Sequence, residues 1–516
     1  MDRFIARFAD QIIGTLSGFD RLVFRGYLRR IIYPAGMTLF LNIRRVRFKD
    51  FRPFTLDTTG RLQRVAYEAV RAQGRPVRYL ESSKTDKEAL ARQIARKDGI
   101  TTGLVALLTC VEPCLTFGMG RNEKTGVPEL RSKRGKCLHL YYYSIDPVFG
   151  FMNARIQTWF PFNIQICING REWLAHQMDG AGLGYERRDN CFARLDDFAR
   201  AQRLMQRQLR APWLRLLNRH ARVLNPLHAE IFRGFPLAYH WSVYQSEWAS
   251  DIVFESAAAL RSVYPALVHH AITSFSSGDV MRFLGGKLHG NFQGEIVSEL
   301  KHRPEGVRVK HWVGKNSIKL YDKQGCVLRP ETTINDPEGF KVFRPKQGDP
   351  RGKKDWRPLR KGIADLHRRA EVSQAANERY VDALAAVDLS TSLGELLRQA
   401  CRPTTFNGKR VRGLRPWSAD EVALFEAVNR GEFCVNGLRN RDLQRLLFAT
   451  APKSPQERRR RSARISYLLR ILRAHGILHK VPKSHRYKVS PKGRDLLVAV
   501  LTAHHASVEK LTRLAA

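Results

Sequence analysis

Residues 456–494 read QERRRRSARISYLLRILRAHGILHKVPKSHRYKVSPKGR and carry thirteen Lys or Arg residues against one acid, Glu457. Apolar residues inside this stretch recur at spacings of three and four, which predicts one apolar face on an amphipathic helix. Gly476 follows as a helix stop signal. The stretch therefore predicts a helix whose other face is rich in arginine. The apolar residues are Ile465, Leu468, Leu469 and Leu472.

The segments on either side of this helix complete a recurring order of elements. Residues 477–481 and 486–489 are typical of two short strands around a basic turn. Pro491 opens a further helix, and residues 440–448 have the pattern of a short helix upstream. Helix, basic helix, basic hairpin and helix is the order of a winged helix. This part of the chain resembles winged-helix DNA-binding domains over about 70 residues.

The resemblance implies a surface for nucleic acid. An apolar stripe that docks the second helix leaves its Arg face outward, where a DNA major groove accepts a helix and guanine edges suit Arg. The hairpin would reach neighbouring phosphates. A solvated basic face and a winged helix that binds protein remain alternatives, and residues 458–461 also fit a frayed electrostatic arm. The candidate nucleic-acid-binding residues are Arg458, Arg459, Arg460, Arg461, Arg464, Arg470, Lys480, Lys483, Arg486 and Lys488.

Positive charge extends along the whole chain. The 516 residues include 89 Lys or Arg and 48 Asp or Glu, a formal net charge of +41. Self-repulsion of this size opposes a compact state unless a polyanion offsets it, so nucleic acid is the predicted partner. DNA is favoured, and a structured RNA remains open because it offers phosphates on many sides. An anionic membrane is the weaker alternative, and no membrane contact is predicted; the oligomeric state is left open.

Other features of the sequence bear on localisation. No apolar run reaches the roughly 18 residues of a membrane span, and the first residues do not resemble a secretory signal. The eight cysteines are scattered and form no C-x-x-C motif, which favours buried free thiols in a reducing compartment. We therefore expect a cytoplasmic protein of bacterial type, associated with the nucleoid or with a ribonucleoprotein.

The chain is too long for one hydrophobic core. Repeated strand and helix patterns predict an α+β fold, a mixed α/β body followed by the C-terminal winged-helix domain. The predicted divisions are an N-terminal α/β nucleic-acid-binding domain at 1–185, a helical segment at 186–300, a β-hairpin region completing the body at 301–345, a basic linker with helices at 346–416, and the winged-helix domain at 417–516.

A second informative stretch, residues 306–336, reads GVRVKHWVGKNSIKLYDKQGCVLRPETTIND. Apolar and basic residues alternate from 307 to 311, residues 314–316 turn the chain, and residues 322–325 form a tight turn between two strands. Pro330 has no amide donor, so the returning strand is predicted to lie at a sheet edge or to be bulged there.

This hairpin resembles the corresponding hairpin of rolling-circle replication initiators of plasmids and filamentous phages. The matching residues are Lys319, Tyr321, Asp322, Lys323, Leu328, Arg329 and Glu331. The resemblance implies a metal-dependent nickase with Tyr321 as nucleophile, because a Tyr hydroxyl needs a nearby base or cation and a carboxylate-bound metal neutralises phosphate charge. It also implies Glu331 and Asp322 as metal ligands or base, and Lys319 and Lys323 on phosphate. A structural hairpin, or one that only grips phosphate, remains an alternative.

Acidic residues are spaced four apart in residues 244–264, a segment predicted to be helical. Glu247, Asp251 and Glu255 would share one helix face. Such a stripe fits a divalent metal site, with Mg²⁺ or Mn²⁺ as cofactor and Glu247 and Asp251 joining Glu331 and Asp322 as ligands. Pairing with neighbouring Arg is the alternative.

These patterns together predict a nucleic-acid-binding protein of the mobile-element or replicon type. The first hypothesis is a metal-dependent DNA strand-nicking or strand-transfer enzyme, an endonuclease in the broad sense. The alternative is a non-catalytic DNA- or structured-RNA-binding protein, such as a replicon regulator or a ribonucleoprotein component.

Overall fold

The computed structural model describes residues 1–286, 295–303, 306–346, 348–385, 393–429, 433, 437–482 and 484–505. The strands are β1 Ile12–Leu28, β2 Val77–Leu80, β3 Gly103–Arg121, β4 Pro128–Asp146, β5 Gly150–Gln157, β6 Ile164–Asn169, β7 Tyr185–Arg188, β8 Cys191–Leu195, β9 Tyr239–Phe254, β10 Ile296–Arg303, β11 Gly306–Val313, β12 Asn316–Lys323, β13 Val327–Ile334, β14 Lys341–Arg344, β15 Asp355–Pro358, β16 Thr404–Phe406, β17 Lys409–Val411, β18 Leu478–Lys480 and β19 Tyr487–Val489.

The α-helices are α1 Asp2–Arg7, α2 Pro34–Ile43, α3 Phe51–Arg71, α4 Lys87–Lys97, α5 Gly170–Gly180, α6 Phe198–Gln206, α7 Trp213–Leu224, α8 His228–Ile231, α9 Ala257–Thr273, α10 Ser277–Phe283, α11 Leu366–Leu384, α12 Leu393–Ala400, α13 Ala419–Val428, α14 Asn440–Leu447, α15 Pro455–Ala474 and α16 Pro491–His505. The predicted α+β class is confirmed at this level.

An eleven-stranded sheet organises the first 345 residues, in the order β10-β11-β12-β13-β9-β1-β6-β5-β4-β3-β2. Neighbouring strands are antiparallel, except that β2 runs parallel to β3. The long strands β1 and β9 lie side by side at the centre and join the N-terminal strands to the β10–β13 meander. Because the sheet is continuous, residues far apart in sequence meet across it.

One face of the sheet is apolar. Alternate residues such as Ile318 and Leu320 of β12 pack with helices α9–α11, and alternate residues of β1, β5 and β6 pack with α5 and α7. On the opposite face, α4 covers the β3–β5 side through Ala91 and Ile94. The alternation of a half-buried strand therefore sends Lys319 and Tyr321 to a face that carries polar groups.

The register between β1 and β9 shifts at three places, one between Ile12 and Gly14 near the start of β1 and two nearer the middle of the strands. The register passes from Phe19↔Trp248 to Arg21↔Glu247, which leaves Asp20 as an extra residue of β1. It shifts again between Val23↔Gln245 and Phe24↔Val243, which leaves Tyr244 as an extra residue of β9. A bulge bends a strand and redirects the side chain it carries.

The helix predicted for residues 244–264 is wrong for the first half of the segment. Residues 244–254 belong to strand β9, and the prediction holds only from Ala257, where α9 begins after the N-cap Ser256. Burial in the centre of the sheet outweighs the local helical pattern. The segment predicted as helical at 186–300 likewise contains β7, β8, β9 and most of β10.

The hairpin predicted from the second stretch is confirmed, with β12 and β13 on either side of a turn at residues 324–326. The edge position predicted from Pro330 is wrong, because β13 lies between β12 and β9. The chain accommodates the missing amide donor locally: pairing with β9 goes from Leu328↔Ile252 to Glu331↔Ala249 and skips Arg329 and Pro330.

The C-terminal helices and hairpin pack around a separate apolar cluster. Helix α15 buries Ile465, Leu469 and Leu472, as its periodicity predicts, and Gly476 follows with a φ of 70°. Helices α14, α15 and α16 flank the β18–β19 hairpin in the predicted order. Among the described residues, no helix has both the length and the apolar composition needed to cross a bilayer.

Candidate functional site

Three carboxylates from three adjacent central strands converge on the polar face of the sheet. Asp20 comes from the bulge in β1, Glu247 from β9 and Glu331 from β13, and one oxygen of each lies within 4.8 Å of the others. The sequence predicted Glu247 and Glu331 as ligands but not Asp20. In the sequence Asp20 stands out only as the single acid of β1, a strand that also carries Arg21 and Arg25.

Glu331 is nearly inaccessible to solvent and is held by β12. The cross-strand pair Lys319↔Glu331 places the Lys319 Nζ 2.5 Å from Oε1, and the Tyr321 hydroxyl donates to Oε2 at 2.6 Å. Burial alone would raise the pKa of Glu331, but the Lys319 charge and these two hydrogen bonds lower it to about 2. Burial and the Glu331 charge raise the pKa of Tyr321 well above its usual value.

Glu247 has the opposite electrostatic balance. Burial and the nearby Glu331 charge raise its pKa, and these effects exceed the opposing charges of Lys319 and Arg21. The Lys319 Nζ is 4.0 Å away, while Gln245 donates a hydrogen bond to Oε1 at 2.6 Å. Two acids on neighbouring strands thus share one lysine, and a cation beside them would relieve their repulsion.

Asp20 is oriented by a buried ionic network. Its Oδ1 accepts hydrogen bonds from Asn190 Nδ2 at 2.9 Å and from Arg329 Nη1 at 3.2 Å. Arg329 also binds both oxygens of Asp251, at 2.5 and 2.9 Å, and donates to the Asn190 carbonyl. The fully buried Arg171 lies 3.0 Å from the same Asp251. The network connects β1, β9, β13 and the β7–β8 hairpin around Asp20.

Two acids predicted as metal ligands lie outside the three-carboxylate cluster. Both oxygens of Asp251 are occupied by guanidinium groups; burial would raise its pKa, but Arg171 and Arg329 lower it. Asp322 accepts the Gly325 amide at the β12–β13 turn, and burial raises its pKa. Asp322 lines the same cavity as the cluster, whereas Glu255 is exposed beyond the end of β9.

The cluster opens into a cavity of about 500 Å³. Helix α4, the β7–β8 hairpin and the β11–β12 strands contribute the remaining charged walls. Seven cationic and six acidic side chains line it, so positive side chains outnumber negative ones by one. The cations are Arg21, Arg92, Arg187, Arg308, Lys319, Lys323 and Arg329, and the acids are Asp20, Glu88, Asp189, Glu247, Asp322 and Glu331.

The cations of the cavity differ in how firmly they are held. Lys323, predicted to contact phosphate, is paired with Asp189 of the β7–β8 turn at 2.5 Å. Arg92 and Arg187 both bind Glu172. Arg21 follows the bulge residue Asp20 directly and exposes its side chain. Six of the predicted site residues line this cavity: Lys319, Tyr321, Asp322, Lys323 and Glu331 of the hairpin, and Glu247 of β9.

Two buried hydroxyls adjoin the carboxylates. Thr333 lies opposite Glu247, and Ser317 lies opposite Thr333 on the next strand. Within the part of the chain that the structure describes, neither hydroxyl oxygen has a hydrogen-bond partner.

The residues predicted to bind nucleic acid near the C-terminus are distributed over α15 and the β18–β19 hairpin. Arg461 is half-buried against Glu457 and the Phe448 ring, and Arg464 is paired with Asp420. Lys483 lies outside the described residues. Arg486 and Lys488 are half-buried, and the remaining predicted cations are exposed: Arg458, Arg459, Arg460, Arg470 and Lys480.

No family model, no curated protein and no solved structure matches this chain. The arrangement of charge around the cavity is therefore the basis for assigning a function. Three convergent carboxylates inside a cationic rim are chemically suited to a divalent cation and a phosphate ester.

Proposed function

We propose that this protein binds nucleic acid and cleaves or transfers a phosphodiester bond at Asp20, Glu247 and Glu331 with Mg²⁺ or Mn²⁺. The observation that supports it is the convergence of these carboxylates within 4.8 Å inside a cavity lined by seven Lys or Arg side chains. DNA nicking or strand transfer is the activity that follows. Lys319 and Arg329 already pair with Glu331 and Asp20, so Glu247 is the acid whose charge a bound metal would compensate, since burial and the Glu331 charge raise its pKa.

The donor set fits the chemistry of these metals. Mg²⁺ and Mn²⁺ prefer oxygen ligands, and Mg²⁺ keeps several waters, so a few carboxylates suffice. Bound there, the metal would neutralise charge on a scissile phosphate. Arg21 and Lys319 lie on the same face and would bind the phosphate oxygens, while Arg329 keeps Asp20 in place.

The nucleophile is either water or Tyr321. The Tyr321 hydroxyl already donates to Glu331, which would receive its proton. However, the pKa of Glu331 is lowered to about 2 and the pKa of Tyr321 is raised, so the proton stays on the phenol. These opposite pKa shifts therefore favour water as nucleophile, with Tyr321 as the hydrogen-bond donor that orients Glu331. The Tyr321 nucleophile remains a prediction that Tyr321→Phe decides.

The C-terminal elements would supply the grip on DNA. As a winged helix, this part of the chain would place the exposed Arg459 and Arg470 of α15 against the duplex and Lys480 of the hairpin on a phosphate. In this arrangement the C-terminal domain selects or anchors the DNA, and the cavity in the sheet acts on it.

A second candidate function is non-catalytic nucleic-acid binding. It is favoured by the ion pairs already present, because Lys319 neutralises Glu331 and Arg329 contacts Asp20 without any added cation. In that case the cluster is a structural network, and the charge of +41 serves a long folded RNA or a duplex.

Incubating the purified protein with supercoiled plasmid and Mg²⁺ or Mn²⁺ separates these candidates. We expect nicked circles from the wild type and a loss of about 100-fold or more in Asp20→Asn and Glu247→Gln, since each removes a metal ligand. The matched control is Glu255→Gln, an exposed acid just past β9. Metal-dependent nicking that is equal in all four proteins would reject this site.

The same assay identifies the nucleophile. A protein–DNA adduct that is lost in Tyr321→Phe would establish Tyr321, whereas nicking by that variant would leave water as nucleophile. Tight binding of DNA or RNA with no metal-dependent nicking under any condition would favour the non-catalytic function.

A further inference from the structure

Two large aromatic rings are exposed side by side on the β14–β15 hairpin. Phe343 and Trp356 are a cross-strand pair with ring centroids 5.6 Å apart, and 54% and 64% of their surfaces are exposed. Their neighbours on the other hairpin face, such as Val342, are buried. The hairpin therefore has an inner face that packs and an outer face that leaves an aromatic pair in solvent.

Positive charge surrounds this pair. Residues 341–361 contain nine Lys or Arg and two acids. Lys341 lies on the outer face beside Phe343, and Arg351, Lys353 and Lys354 are exposed in the segment between the two strands. An aromatic pair inside a cationic surface matches a base and its phosphates, because bases stack on rings and phosphates bind Lys or Arg.

The hairpin is fixed to the strand that carries Glu247. Just after β15, the Lys361 carbonyl accepts the Val243 amide at 2.7 Å, and Gly362 bridges to Ser242 of β9. Val243 and Glu247 are four positions apart, about 13 Å along a strand. Between them lies the bulge residue Tyr244, 39% exposed, with the Arg25 guanidinium 3.3 Å above its ring.

We propose that Phe343 and Trp356 form a base-stacking platform for single-stranded nucleic acid. The strand continues over Arg25 and Tyr244 to the carboxylate cavity. This proposal rests on the proposed function and narrows its substrate to a nucleic acid with unpaired bases next to the reacting phosphate. A paired base presents only its edges in the grooves, so a duplex cannot use the two rings.

Binding of labelled oligonucleotides to the full-length protein in EDTA tests the platform without cleavage. We expect Phe343→Ala/Trp356→Ala to weaken binding of a single-stranded oligonucleotide by about tenfold or more, and binding of a duplex of equal length by less than about twofold. Tyr33→Ala/Tyr79→Ala is the matched control, since it removes two rings that are 70% and 60% exposed elsewhere. The control should bind both ligands like the wild type.

A second measurement uses the fluorescence of Trp356. Stacking of a base on this ring should quench part of the tryptophan emission of the wild type. Trp356→Phe should lose that quenching and keep the affinity, because Phe still stacks. Unchanged single-strand affinity in the double alanine variant, or unchanged quenching in Trp356→Phe, would overturn the platform. If the double alanine variant lost binding to anionic phosphatidylserine vesicles but kept its binding to oligonucleotides, the platform would also be overturned, in favour of a membrane contact.

Failure of the platform and failure of the proposed function differ in outcome. If the wild type nicks DNA with metal and the double alanine variant binds single strands normally, the proposed function stands and the platform is wrong. If the wild type stacks single strands but shows no metal-dependent cleavage, the platform stands and the catalytic site is wrong. If the wild type binds no nucleic acid, both proposals are wrong.

Discussion

Two glutamates on neighbouring strands carry the same charge and have opposite pKa shifts. Glu331 accepts hydrogen bonds from Lys319 and Tyr321, which outweigh the effect of burial and lower its pKa to about 2. The Lys319 Nζ lies farther from Glu247 than from Glu331, at 4.0 Å against 2.5 Å. Burial and the Glu331 charge therefore raise the pKa of Glu247. Glu331 therefore keeps its charge to lower pH than an ordinary glutamate, whereas Glu247 takes up its proton at higher pH than an ordinary glutamate.

The two acids should therefore respond in opposite ways to neutralisation. At pH 7 and without metal, Glu247→Gln should raise the free energy of unfolding, because it removes a buried charge that repels Glu331. Glu331→Gln should lower it by about 3 kcal/mol or more, because the buried Lys319 loses its nearest anion and keeps only Glu247, 4.0 Å away. Chemical denaturation measures the free energy of unfolding of both variants. A Glu331→Gln variant more stable than the wild type would show that the Lys319–Glu331 pair does not stabilise the fold.

The pH dependence of these contributions follows from their signs. Glu331 has a folded pKa below the ordinary 4.5, so its contribution is complete above pH 4.5 and is lost as the pH falls toward 2. Glu247 has a raised folded pKa, so its ionised form destabilises the protein above that pKa and stops doing so at lower pH.

Metal binding should follow the titration of Glu247. Affinity for Mn²⁺ should fall as the pH drops through the raised pKa of this acid, at a higher pH than for an ordinary glutamate. Lys319→Met should move that midpoint to still higher pH, since the Lys319 charge lowers the pKa of Glu247. Calorimetric Mn²⁺ titrations at several pH values measure the midpoint, with the exposed Lys301→Met as control. A midpoint shared by all three proteins would exclude Glu247 as a ligand.

At the scale of elements, a spacing of four is ambiguous between helix and strand. Glu247 and Asp251 share a face on a helix of 3.6 residues per turn and on a strand of two, so the predicted common face does not depend on which of the two forms, although Asp251 pairs with arginines and does not join the cluster. No local pattern distinguishes the two cases, because the strand is imposed by pairing with β1 and β13. Asp20 could not be predicted as a partner, since its direction depends on a bulge that only the paired strands define.

Helix α15 was predictable because its pattern is local. Its apolar stripe is buried and its arginines are mostly exposed, as the periodicity indicates. The β12–β13 hairpin was predictable for the same reason, whereas its central position in the sheet was not. Pro330 marks a missing hydrogen bond, but the sequence does not show that the β9 register skips this position.

The exposed face of α15 gives a prediction for DNA binding. Arg459 and Arg470 are about three helical turns apart, so they project from the same side. Arg459→Ala/Arg470→Ala should weaken binding to duplexes of any sequence and reduce the slope of log K against log salt by about 0.9 for each lost phosphate contact. Anisotropy titrations at several salt concentrations give the slope. Arg52→Ala/Arg64→Ala on α3, also exposed, is the control; an equal loss there would mean that binding follows net charge alone.

At the scale of the whole molecule, the net charge of +41 makes the stability of the folded protein depend on ionic strength. Screening weakens repulsion among exposed like charges at distances beyond about 10 Å at 0.1 M salt. The free protein should therefore melt a few degrees higher when NaCl is raised from about 0.02 to about 0.3 M. The complex with nucleic acid should melt lower over the same range, because salt dissociates it. Parallel thermal melts decide this, and a free protein that loses stability with salt would show that surface ion pairs outweigh the repulsion.

The Arg329–Asp20 contact joins two residues that are 309 positions apart in the chain. When the ribosome has synthesised the chain as far as Glu247, two of the three acids are present. Strand β13, which carries Glu331 and the arginine that orients Asp20, has not yet been made. The carboxylate cluster is therefore completed only after β13 has been synthesised. Under the proposed function, a chain that ends before β13 has no complete carboxylate site and should not cleave DNA.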